Sequence, residues 1–489
     1  MNNLGLTFYK NKIKKFVTFS KIIRHNKQAE ENIKSNFTNG SFLMKKIFLP
    51  IMFLFCVNVF AQKKLTLEKA ISIALQRNSN LIKGTNSLLI KKAEIKNAYG
   101  ELLPNFNLSG SWDWRRISDD GGQKQIGYLG EIIPTPATKT DTRNYSVYAG
   151  GRITLFDGLA NYAKLSQKNK NFEAAKLSLE KLKQDIVFNT TSYFYAVISS
   201  GELVKVREDN VKFNQKLLET ITEKNKVGSI PLADVYTQQV QLGNAQLLLI
   251  QAKNSYEDAK NNLLNYLALD ITDNFEFVDP YKKISKTFGK NNNNLNLSKL
   301  IKVALNNRLD YKSKKLEIEA AEEGITIAKA GLLPSLSGSY SFSSSSVKPV
   351  DLFKRRVYSV KLSLNIPVFS NWQTETNIQY AEVQKLNEME NLSALERTIK
   401  IEVKKSYLDL IASEKRLEVS TANVVAAKEN RRVNKERYSL GSGTILDVLQ
   451  ADKDYTQALT ENIKAKFEYH TNRDKLMNAL GKLDFKKYQ

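Results

Sequence analysis

Four short segments of the chain alternate between apolar and polar residues, and the long stretches between them carry helical periodicity. In 105–115, Phe106, Leu108, Gly110, Trp112 and Trp114 share one face, while Asn105, Asn107, Ser109, Ser111, Asp113 and Arg115 share the other. In 144–155, Tyr145, Val147, Ala149, Gly151, Ile153 and Leu155 alternate with polar or small residues. In 335–343 the polar face is serine throughout, opposite Leu336, Gly338, Tyr340 and Phe342. In 358–366, Tyr358, Val360, Leu362, Leu364 and Ile366 alternate with Ser359, Lys361, Ser363 and Asn365. The spacing predicts four β-strands of about ten residues.

The helical stretches are long. The pattern predicts a helix over 66–100 that ends before a Leu-Leu-Pro, then a very long one over 158–227 with no proline. A Gly-Ser turn and a further helix to Leu267 follow. In the later long stretch, Val403, Leu410, Leu417 and Val424 recur every seven residues beside Ser406, Ser413, Ser420 and Ala427. Large and small residues at matched heptad positions suit knobs-into-holes packing.

The chain is also duplicated. LTLEKAISIALQRNSNL at 65–81 aligns with LNLSKLIKVALNNRLDY at 295–311, and the same offset of 230 places Pro104 on Pro334. Beyond the first strand of each half the offset is 213. It carries YSVYAGGRITLF (145–156) onto YSVKLSLNIPVF (358–369) and VGSIPLADV (227–235) onto LGSGTILDV (440–448). The missing 17 residues fall between the aligned strands. Each half therefore reads helix, strand, strand, long helix, turn, helix.

Rise per residue converts this order into architecture. A helix of about 70 residues is about 105 Å long, far more than a compact domain needs, and the two shorter helices of a half match it end to end. The expected object is a wall of antiparallel rods. Strands with one apolar and one polar face fit either a sheet on a soluble core or an outer-membrane barrel. Rods of this length leave no compact core for a sheet to cover, which favours the barrel. Four strands alone would expose unpaired edges to lipid, so closure must come from other chains. Two chains give eight strands and a filled interior; three give twelve and room for water.

Composition and charge then narrow the compartment. The 489 residues hold 74 Lys and Arg against 50 Asp and Glu, a net charge of +24, with two His and one Cys. One cysteine excludes a disulfide framework and a thiolate metal site. Residues 44–62 read MKKIFLPIMFLFCVNVFAQ: Lys45 and Lys46 precede an apolar run and Ala61. This predicts a secretory signal peptide at 44–61, the competing account being a membrane anchor or buried helix. Residues 1–43 read as an upstream extension outside the fold. Those two segments hold ten of the basic residues and two of the acids, leaving +16 on the exported chain. The expected division is a first repeat over 62–270, a linker over 271–294, a second repeat over 295–482 and a tail over 483–489.

With these features in place, the chain resembles the TolC family of outer-membrane efflux and secretion ducts. The resemblance covers about 65–482. It rests on the duplicated element order, the Leu-Leu-Pro corners at 102–104 and 332–334, and the run Tyr438-Ser-Leu-Gly441-Ser-Gly443-Thr-Ile-Leu-Asp447-Val-Leu. It implies a mostly α fold with a membrane β-barrel contribution: a homotrimer with a twelve-stranded barrel in outer-membrane lipid, continued by a long α-helical barrel. It implies opening on docking with a periplasmic adaptor (membrane fusion) protein and an inner-membrane transporter of the RND or ABC type, without cofactor or metal.

The family's closed tip uses a Tyr before the second Gly turn, an Arg after it, and an Asp in the helix after the first turn. Tyr438 and Asp234 match the first and third, whereas Gly443 stands at the Arg position. Of two constriction acids, Asp447 matches one and Gln450 replaces the other. The tip turns would lie at Gly228 and at Gly441 and Gly443. Asp234 and Asp447 each fall six residues after a turn glycine, and Thr444 to Asp447 reads as a capping box.

Other classes fit less well. No acid pair, phosphate loop or histidine partner suggests an enzyme; Asp452 and Asp454 stand two apart on a helix and point away from each other. Lysines spread over helices do not make a nucleic-acid face. A periplasmic adaptor should carry one hairpin rather than two copies with membrane-type strands, and a passive porin needs no helical extension. Both stay as alternatives, and the cargo is not legible.

Overall fold

The computed structural model describes residues 63–121, 124–126, 130, 132–134, 137–280 and 296–488. The proposed extension (1–43), signal peptide (44–61) and most of the linker (271–294) lie outside the described residues.

The duplication reappears element for element. Helix α1 (Leu67–Arg77) is followed by α2 (Ser79–Gly100). The long α3 (Ala160–Lys226) and α4 (Leu232–Tyr266) complete the first set. In the second half α5 (Leu297–Asn307), α6 (Leu309–Lys329), α7 (Gln373–Ser439) and α8 (Ile445–Ala479) repeat the order. Both α3 and α7 have 67 residues, about 100 Å at 1.5 Å per residue, and α4 and α8 have 35 each. Toward the turns, α3 packs between α4 and α8, with α7 beyond α8; toward the strands it packs between α2 and α6. The rods pack side by side, and the short α1 and α5 add contacts to α3 and α7.

The heptad seam is where the sequence places it. Val403, Leu410 and Leu417 are buried together with Ser406, Ser413 and Ser420, while Val424 and Ala427 are half-buried. Small serines let the neighbouring backbones approach; Ser413 donates to the Leu410 carbonyl and Ser420 to that of Leu417, while the buried Ser406 hydroxyl has no partner among the described residues.

The single helix expected over 66–100 is two helices. Asn78 sits between α1 and α2 with ψ 126°, outside the helical range, and its side chain caps the new N-terminus by accepting from the Asn80 N–H at 3.0 Å. The break re-aims the chain so that α1 covers the middle of α3. There Ala70, Ala74 and Leu81 join Ile186, Phe194, Val197, Leu263 and Leu267 in the largest core cluster. A parallel pair that periodicity did not foresee, β1 (Lys63–Leu65) with β6 (Phe275–Phe277), closes the same region. Phe485 of the tail is buried against Ile71 and Val187.

The predicted strands all exist, mostly longer than their alternating cores. They are β2 (Asn107–Asp119), β5 (Thr138–Asp157), β7 (Ser335–Ser346) and β8 (Arg356–Asn365), antiparallel in the order β2-β5-β7-β8. They outrun the alternation because the ladder pairs backbone with backbone: β2 and β5 stay in register from Asn107↔Gly150 to Asp119↔Thr138. The extra 17 residues of the first half hold a small hairpin, β3 (Lys124–Ile126) with β4 (Ile132–Pro134).

Glycine is required at Gly151. A Cβ there would fall on the Asn105 carbonyl, and the Tyr340 hydroxyl uses that space to donate to the same oxygen at 2.8 Å. No helix among the described residues is long and apolar enough to cross a membrane.

Candidate functional site

Two regions stand apart from generic packing: the helical turns at one end of the rods and the uncovered face of the sheet at the other. The turns are built alike. Gly228 and Gly441 take φ of 68° and 74°, the left-handed region that glycine adopts without a Cβ penalty. The N–H of Ser229 bonds back to the Lys224 carbonyl and that of Ser442 to Arg437, both at 2.9 Å, which closes each helix in a Schellman turn.

The next helices start differently. In the second repeat Thr444 and Asp447 form the expected capping box: the Asp447 N–H donates to Thr444 Oγ1 at 3.2 Å and the Thr444 N–H to Asp447 Oδ2 at 3.0 Å. That backbone donation holds the exposed Asp447 carboxyl below its usual range. In the first repeat Pro231 is itself the N-cap, with no side-chain cap bond, and Asp234 lies in the first turn.

Tyr438 is 9% exposed and packs among Leu217, Ile221, Val235, Ile445 and Val448. The Lys224 ammonium stands 4.7 Å from its ring centroid. Its hydroxyl has no hydrogen-bond partner among the described residues. Burial raises its pKa first, and the nearby charge of Asp234 raises it further. The structure thus brings Tyr438 and Asp234 into electrostatic reach without a bond between them. Gln450 is exposed on α8 and donates to Asp454 Oδ1 at 2.8 Å. Gly443 is half-buried, and a Cβ on it would crowd Arg437, the arginine that precedes Tyr438. Asp447 and Gln450 line an open groove of about 870 Å³ between α4 and α8.

The same groove contains residues that periodicity passed over. Asp452 is 3% exposed and accepts from Arg431 Nη1 at 2.9 Å and from Asn210 Nδ2 at 2.7 Å. Arg431 lies over the rings of Phe213 and Tyr455, so α3, α7 and α8 share one polar knot. Gln238 of α4 extends it by donating to the Asn214 carbonyl at 2.9 Å. Burial, the largest influence, raises the Asp452 carboxyl despite the guanidinium. Asp452 and Asp454 do point apart. What could have flagged Asp452 is its place on the stripe Ile445, Val448, Asp452, Thr456, whose other members are core or small.

At the opposite end, the apolar face of the sheet is bare. Leu108 is 71% exposed, Val360 86% and Leu362 68%, and Trp112 and Trp114 lie on the same face. Water would penalise so large a patch, so it belongs against hydrocarbon or another chain. Among the described residues no group of three or more His, Cys, Asp or Glu could hold a metal ion.

A duplicated rod-and-sheet subunit with a lipid-type face defines a membrane duct component. The model of the family described as "Outer membrane efflux protein" matches residues 70–269 and 300–482, and the chain belongs to that family. It is 21% identical over 340 residues to the outer membrane protein TolC of Salmonella enteritidis, covering 68% of each chain. It is 21% identical over 425 residues to the protein CyaE of Bordetella pertussis, covering 86% of this chain and 84% of that one. Among solved structures, the Campylobacter jejuni CmeC outer membrane channel superposes with a TM-score of 0.69 at 17% identity, over 86% of this chain and 88% of that one. The open state of the Neisseria gonorrhoeae MtrE channel gives 0.69 at 19%, over 86% and 89%. The protein is an outer-membrane efflux component whose helices extend into the periplasm.

Proposed function

We propose that three copies assemble into a continuous duct: a twelve-stranded barrel through the outer membrane and a helical tube of about 100 Å below it. The observation that carries this is the sheet itself. It ends on β2 and β8, each with one edge unpaired among the described residues, beside an apolar face that no described element covers. Pairing β2 of one copy with β8 of the next removes every edge, and twelve strands leave a water-filled bore. Residues 44–61 act as the export signal, so the working chain starts near Gln62.

In this reading the duct is the outer component of a tripartite efflux or type I secretion system, opened when a periplasmic adaptor and an inner-membrane pump dock. The tip is the gate. In the closed trimer Asp234 would take a partner from the next copy, Tyr438 would do so once its hydroxyl, buried and unbonded among the described residues, is uncovered, and three copies of Asp447 and Gln450 would ring the axis. Asp447 brought near its own copies would repel them and concentrate cations.

The test is the solubilised protein. Its mass should be three times that of the exported chain, and in planar bilayers it should show low resting conductance. Tyr438→Phe and Asp234→Ala should raise that conductance. A monomer, or a pore that stays open without a pump, would refute the gated duct.

A further inference from the structure

On the apolar face of the sheet, three of the four strands turn basic at the same end, the one farthest from the helices. In β2, Trp112 and Trp114 are followed on that face by Arg116. In β5, read outward, Tyr145 is followed by Arg143, Asp141 and Lys139; cross-strand register puts these opposite Trp114, Arg116 and Ser118. In β8, Tyr358 gives way to Arg356. On β2 and β5 the face carries no charge below these points, whereas Arg356 pairs with Ser344, which is itself opposite Val147, and so stands four residues nearer the helices than Arg143. The polar face at the same height mixes signs, with Asp113, Arg115 and Asp119.

Height decides what this end meets. The uncharged run on β5 from Leu155 to Tyr145 is about 33 Å of strand at 3.3 Å per residue. At a barrel tilt of about 40° it rises about 25 Å, the thickness of an outer-membrane apolar band. Trp112, Trp114 and Tyr145 therefore fall at the interface, with Arg116, Arg143 and Lys139 at or above it. Arg116 is already spoken for: it grips Asp141 through two bonds of 2.7 Å and lies 5.4 Å from the Trp114 ring centroid. Arg143 and Lys139 form no ion pair among the described residues, although Arg143 stands within electrostatic reach of Asp141, and Arg356 bonds the Phe353 carbonyl.

We propose that Arg143 and Lys139, flanking the Arg116–Asp141 pair, bind the phosphate groups of an anionic lipid in the outer leaflet. This rests on the barrel reading above. Guanidinium groups match phosphate oxygens in a bidentate fork, and cations at a membrane surface attract anionic headgroups. The bland alternative, a rim that is basic only for solubility, predicts no preference between lipids of equal apolar volume.

The test uses the full exported chain, wild type and the double variant Arg143→Gln/Lys139→Gln, inserted into phosphatidylcholine vesicles. The vesicles carry either phosphorylated lipid A or its dephosphorylated form. Lipid retained through detergent extraction is measured by mass spectrometry. Wild type should retain the phosphorylated form about 20-fold better than the double variant, and both should hold the dephosphorylated form equally weakly. Millimolar inorganic phosphate should not displace it. Equal retention of the two lipids by wild type overturns the proposal while leaving the barrel standing. Displacement by free phosphate overturns the lipid as the source. If neither protein becomes protease-protected in the vesicles, the barrel reading fails, and this site fails with it.

Discussion

Asn78 and Arg308, 230 residues apart, do the same job with different chemistry. Each stands between two helices of its repeat. The Asn78 amide donates to the Tyr266 carbonyl at 3.0 Å, and the Arg308 guanidinium points Nη1 at the matching Ala479 carbonyl at 3.5 Å. Asn78 adds a helix cap; Arg308 adds two bonds to Asp310 and one of 2.6 Å to Glu402. Asn78→Ala should therefore cost about 1 kcal/mol, a cap's worth. Arg308→Ala should cost about 2–3 kcal/mol, because it strands the half-buried Asp310; the figure is discounted for the exposure of Glu402. Denaturant titration followed by circular dichroism will rank them. Equal losses would show that the ion pairs of Arg308 contribute nothing.

The second prediction concerns closure of the sheet. Gly151→Val would push a side chain onto the Asn105 carbonyl and displace the Tyr340 hydroxyl. Assembled protein in outer-membrane fractions should fall at least tenfold. Tyr340→Phe removes one hydrogen bond, worth about 1 kcal/mol, and should still assemble. A fully assembled Gly151→Val protein would show that the close approach is dispensable.

Asp447 separates a structural from a conducting role. Its capping box predicts that Asp447→Ala lowers stability. The gate reading adds a loss of cation preference, read as a shift in reversal potential across a salt gradient. Lower stability with unchanged selectivity and divalent block would leave Asp447 as a cap alone.

His470 sets an acid limit. Burial, then the charges of Arg473 and Lys466, depress its pKa to about 4, so the folded chain holds it neutral. A depressed histidine contributes stability that is complete above its unfolded value of about 6.5 and is lost as pH falls toward 4. Wild type should therefore lose stability relative to His470→Gln over that window, the two curves running parallel above about pH 7. Curves that stay parallel down to pH 4 would remove His470 from the acid response.

Asp452 has the opposite sign. Its raised pKa means that the folded state binds a proton more tightly than the unfolded one, so its contribution is full in acid and declines as pH rises through the raised value. Asp452→Asn, which keeps the size and is neutral at every pH, should flatten this dependence. It should also weaken the hold of α8 on Arg431 of α7. Comparison of melting temperatures at pH 4 and pH 7 will show whether wild type gains on the variant in acid, as expected.

Much of this protein is written locally, and local patterns are what a sequence displays. Strand alternation, the heptad seam, the glycine turns and the offsets of 230 and 213 each depend on residues a few positions apart or on simple repetition. They sufficed for the order and length of the rods, the four strands and the capping box at Thr444. Other features depend on which element comes to cover a given face. Nothing near Asn78 in the chain announces that Tyr266 will offer a carbonyl, so the break between α1 and α2 was invisible. Nothing near Asp452 announces Arg431 or Asn210, so an acid on an apolar stripe became a buried hub only once α3 and α7 closed over it. The cationic rim likewise needed the pairing of β2 with β5 to set Arg143 beside Trp114. Periodicity tells which side of an element avoids water; only the packed chain decides what meets it there.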